Sequence, residues 1–137
     1  MKATELMCDD IVLHHGNAYK VFGIMGKANG VDLFPVQLRN AEGLILAPLT
    51  CFATEIAPIP LTAEILEKNG WEIYYEVGAI YLAIRKDWNL TIVEKKIGGL
   101  PYLRIAHNWI CNIRHVHELQ HALRLCELVD LADNFKV

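Results

Sequence analysis

Residues 57–71 read "APIPLTAEILEKNGW", and this stretch organises the rest of the chain. Pro58 and Pro60 stiffen the backbone and carry no N–H, so they break whatever precedes them. Thr62 suits the N-cap of a short helix over residues 63–68, where its hydroxyl accepts an otherwise unpaired backbone N–H. Leu61 and Leu66 occupy the two positions of a hydrophobic staple. Gly70 tolerates the left-handed conformation that ends a helix, and Trp71 then folds back on Leu66. A capped helix behind a proline linker predicts a division into residues 1–57 and residues 58–137.

Upstream of the linker the pattern is one of short strands and turns. "IVLH" (11–14) is an apolar run, and His14-His15-Gly16-Asn17 reads as an exposed turn. "YKVFGIM" (19–25) is rich in aromatic and β-branched residues. The Asn29-Gly30 pair favours a tight hairpin. "VDLFPVQL" (31–38) alternates, and Pro35 marks it as an edge strand. Residues 44–47 and 52–56 are further short strands. Such close spacing predicts a small β-barrel-like unit of the SH3-like kind.

Downstream, residues 71–77, 79–85, 88–95 and 101–107 read as strands joined by short turns, with 109–114 as a fifth strand or lead-in. A final helix spans about 116–131. The expected fold class is therefore α+β: the β-barrel-like unit, a helix, an antiparallel β meander and a C-terminal helix.

Composition narrows the function without naming it. The 137 residues are 53% hydrophobic and 21% charged, enough for a sizeable core. A net charge of −3 gives no basic footprint, which disfavours nucleic acid as a partner. No apolar run approaches the ~20 residues that span a bilayer, and the N-terminus lacks a signal-peptide core. A cytoplasmic location is expected. Cys8, Cys51, Cys111 and Cys126 form no CxxC pair, so reduced thiols are expected, with Cys111 and Cys126 as small buried hydrophobes. Serine is absent, which excludes a serine nucleophile.

One stretch carries a chemical motif. Residues 115–121 read "HVHELQH", containing the His-Glu-x-x-His of zinc peptidases. His117 and His121 lie one helical turn apart and can share an ion, with Glu118 as general base. Such a site needs a third protein ligand. Glu127 and Asp130 lie too far along a continuous helix, and Asp133 could return only if the chain reverses sharply before it, so His107, Cys111 or His115 upstream is geometrically easier. The helix also turns its main apolar stripe, Val116, Leu119, Leu123 and Cys126, away from His117 and His121. The expectation is that these histidines are surface or interface residues and that no zinc or other cofactor is held. The alternative is a zinc-dependent hydrolase. Leu125, Leu128 and Ala132 form a second apolar stripe, expected to dock a protein partner or a second copy, most simply in a dimer.

The opening "MKATEL", the central "PIPLTAEILEKNGW" and the closing "VHELQHALRLC" together resemble a group of small uncharacterised proteins encoded in bacterial prophages and mobile elements. The resemblance covers most of the chain in order and is specific at those three stretches. It implies a cytoplasmic accessory protein acting on a host component, and it assigns no functional residue.

Overall fold

The computed structural model describes residues 1–25, 35–40, 49–74, 79–95 and 100–137. It is α+β and divides into two compact units, Met1–Ile59 and Pro60–Val137. The expected Asn29-Gly30 hairpin and the strand at 44–47 lie outside the described residues.

The first unit is a curled half-barrel. Strands β1 (Ile11–His14), β2 (Asn17–Ile24), β3 (Pro35–Asn40), β4 (Leu49–Phe52) and β5 (Ile56–Ala57) form one antiparallel sheet in the order β4-β3-β2-β1-β5. His15 and Gly16 make the two-residue loop between β1 and β2, and both have positive φ, 48° and 81°. That is the type I′ pattern, whose twist matches the flanking strands. Val12, Val21, Val36, Leu38 and Ile56 fill the concave side.

Two strand assignments are corrected. β3 is not an edge, because it pairs with both β2 and β4. Pro35 is its first residue, where a missing N–H interrupts no ladder. Residues 52–56 are not one strand: Ala53–Glu55 is a 3-10 turn that steers the chain from β4 to β5, and Glu55 reaches back to accept the Phe52 N–H at 2.7 Å.

The second unit begins with helix α1 (Ala63–Lys68). The Thr62 hydroxyl accepts the Ile65 N–H at 3.3 Å. Trp71 N–H returns to Leu66 C=O and Gly70 N–H to Glu67 C=O, both at 3.1 Å, a Schellman turn with Gly70 at φ 81°. Leu66 and Trp71 are both buried, as this closure requires. The Asn69 side chain then bonds the Lys136 backbone through both its amide groups, which ties down the C-terminus.

Strands β6 (Glu72–Tyr74), β7 (Ala79–Arg85), β8 (Leu90–Lys95), β9 (Tyr102–Ile105) and β10 (Asn108–Asn112) follow as an antiparallel meander in sequence order. Helices α2 (Val116–Leu125) and α3 (Val129–Asp133) close the unit.

The single final helix expected over 116–131 is thus two. The break is a second Schellman turn: Leu128 N–H bonds Leu123 C=O at 2.8 Å and Glu127 N–H bonds Arg124 C=O at 3.0 Å. Glu127 holds the left-handed position at φ 63°, where glycine is the usual residue.

Candidate functional site

The HELQH segment forms the first two turns of α2, and its residues are committed to the fold. Pro60 bridges His115, and Leu61 N–H bonds Arg114 C=O at 2.8 Å, which fixes the entry to the helix. Glu118 is the third helical residue. Its Oε2 accepts the N–H groups of Arg114 at 2.6 Å and His115 at 3.0 Å, and its Oε1 lies 3.3 Å from His115 Nδ1. This is the return arm of a capping box. Burial raises the Glu118 pKa, but the backbone N–H groups and the His115 side chain together bring it below the ordinary carboxylate value. A carboxylate held this way is a poor general base, because taking a proton would break its cap bonds.

His117 is only 6% exposed, so of the two expected placements, surface or interface, it does not take the surface one. Its ring stacks on His115 at 5.6 Å between centroids and meets His121 edge-on at 5.7 Å. Leu119 and Gln120 are fully buried, and Gln120 donates through Nε2 to Ala132 C=O at 2.9 Å, pinning α3 to α2. His121 is half-buried.

Of the proposed third ligands, His115 does lie against His117, but the ligand atoms of His115, His117 and His121 do not all fall within 4.8 Å of one another. His107 is exposed in the β9–β10 turn, five residues before the end of β10, or ~16 Å along an extended strand. Cys111 is half-buried in β10, and burial pushes its thiol up, helped by Cys126 and Glu118 nearby. That works against a thiolate ligand or nucleophile. Cys126 is likewise raised by burial. Among the described residues, the one group of three His, Cys, Asp or Glu side chains close enough to share an ion lies elsewhere. It is His14, His15 and Glu55, whose ligand atoms all fall within 4.8 Å of one another. The sequence shows no motif there.

The expected apolar stripe is redistributed by the helix break. Ala132 is fully buried and presents its carbonyl to Gln120. Leu128 is half-buried and follows the left-handed Glu127 in the turn. Leu125 remains, 85% exposed at the end of α2, with Val129 exposed beyond the turn.

A larger apolar surface appears on the half-barrel. Met25 N–H bonds Pro35 C=O at 2.9 Å, and Pro35 pairs with Phe52, so these three residues form a row across three adjacent segments. Neighbours in register share a face, and Val36 and Cys51, one step along, are buried on the other side. The row therefore faces outward: Met25 is 51% exposed and Phe52 40%. Phe22, 52% exposed, sits at the register shift in β2 with the Arg39 guanidinium 5.8 Å from its ring centre. Arg39 is itself held by Asp9 at 2.6 Å.

Comparison with protein-family models, with curated proteins and with solved structures returned no match. Among the described residues no helix is long and apolar enough to cross a membrane.

Proposed function

We propose that this chain is a non-catalytic accessory protein of the prophage or mobile-element kind, acting in the cytoplasm by binding another protein. The observation that carries the reading is the outward row Met25–Pro35–Phe52, with Phe22 also exposed three residues before Met25. Exposed aromatic and methionine side chains are what protein interfaces enrich. A strand order of β4-β3-β2-β1-β5 with a 3-10 turn before the last strand is also compatible with an SH3-like unit, a kind of domain in which an aromatic surface receives extended peptides. That is an analogy of fold, and the exposed row supplies the local chemistry. Leu125 offers a second, smaller contact point on α2.

The test is photocrosslinking in cells with a photoreactive phenylalanine analogue placed at Phe52, at Leu125 or, as a control, at Glu64 on α1. The expected outcome is one discrete protein adduct from Phe52 that the control position lacks. An adduct of twice the chain mass identifies the partner as a second copy. No adduct above the control at either test position contradicts the reading.

A further inference from the structure

We propose that His14, His15 and Glu55 bind one divalent transition-metal ion of the zinc type. The three residues are distant in sequence, and the half-barrel brings them together. β5 pairs with β1 at only two positions, Leu13 with Ala57 and His14 with Ile56. Glu55 is the last residue of the 3-10 turn and immediately precedes Ile56, so this short seam delivers its carboxylate beside His14.

Consecutive residues in a strand point to opposite faces, so two adjacent histidines would ordinarily diverge. Here His15 has left β1 and taken the left-handed conformation of the turn, which brings its ring centre to 4.2 Å from that of His14. His14 is 7% exposed and lies edge-on to Tyr19, with 6.0 Å between ring centres, so one donor is already held in place. His15 and Glu55 are exposed, which leaves an ion access to both side chains. One Glu55 oxygen accepts the Phe52 N–H, and the carboxylate keeps its other oxygen as a ligand.

Two neutral imidazoles and one carboxylate form a donor set that suits zinc, and tetrahedral coordination leaves the fourth position to water. Ligand bonds of ~2.0–2.2 Å put tetrahedral donors roughly 3.4 Å apart, so small rotamer adjustments from separations within 4.8 Å complete the site. The Met1 ammonium is anchored in the same corner on the carbonyls of Ala53 and Ile56. Its charge opposes a cation, and the Glu55 carboxylate offsets it. A bound ion would clamp the β1–β2 turn to the β4–β5 turn across the two-residue seam, and would thereby stabilise the closure of the half-barrel.

The test is calorimetric titration of zinc chloride into the tag-free, metal-free full chain, with thermal unfolding alongside. One equivalent is expected to bind and to raise the wild-type Tm by several degrees, because the ion binds the folded form alone. His15→Asn keeps a residue that accepts positive φ, and Glu55→Gln keeps an acceptor for the Phe52 N–H, so both variants are expected to fold. Each should weaken zinc binding at least tenfold and lose the Tm rise, while His121→Ala binds as the wild type does. The proposal is overturned if the wild type takes up no zinc, or if His15→Asn and Glu55→Gln bind it undiminished.

Discussion

The two histidine clusters of this protein invert the usual relation between motif and site. In α2 the sequence spells a metallopeptidase signature, yet Glu118 caps the helix, Leu119 and Gln120 are buried and His117 is packed among neighbours. In the half-barrel no signature exists, yet His14, His15 and Glu55 place three ligand atoms within reach of one ion. A local motif reports spacing along one element. A metal site needs convergence in space, and sheet pairing supplies it in the second case. The difference is open to attack from both sides.

The largest expected effect is on the motif's structural role. Gln120→Ala removes the donor that α2 extends to Ala132 and leaves a fully buried position underfilled. We expect a loss of about 2 kcal/mol in denaturant unfolding. An unchanged midpoint would mean that the segment is not committed to packing and would reopen it to chemistry.

Glu118→Ala comes next, at about 1–2 kcal/mol, from the loss of two charge-assisted backbone bonds. Its pH dependence identifies the cause. The folded-state pKa of Glu118 lies below its unfolded value. The stabilisation is therefore fully present above the unfolded value of about 4.3 and is lost as the pH falls through the folded value. Wild type and Glu118→Gln should converge in stability on acidification. A gap that persists at low pH would assign the effect to something other than the carboxylate cap.

Thr62→Ala should cost about 1 kcal/mol through loss of the α1 cap. The smallest effect has the opposite sign. Glu127→Gly relieves a left-handed residue at the end of α2 and should stabilise by roughly 0.5–1 kcal/mol. A destabilised Glu127→Gly would indicate that the glutamate side chain, and not the turn, holds α2 against α3.

These helix ends show what was legible. The two Schellman turns have the same hydrogen-bond pattern, but α1 ends on Gly70 and α2 on Glu127. The first is written in the residue that its conformation favours and was read correctly. The second is enforced by tertiary packing around Leu123 and Gln120, and the sequence there continues a helical pattern unbroken. Pro35 misled for a related reason: the proline rule disfavours strand interiors but permits the first residue of an inner strand. The α+β class, the capped helix and the meander followed from periodicity and turn residues. The outward row on β3 and β4 did not, because strand order decides which residues become neighbours. The His14–His15–Glu55 group was hidden for the same reason. Its third member arrives through the β1–β5 pairing, and its second through a turn conformation that histidine adopts only occasionally.

The most direct test of the contrast is a nuclear magnetic resonance titration of the full chain with zinc, following the histidine side chains and the backbone amides. The account predicts that His14, His15 and the amides around Glu55 shift and saturate at one equivalent, while His117, His121 and Glu118 stay in place. Shifts centred on His117 and His121, with the half-barrel unmoved, would contradict it.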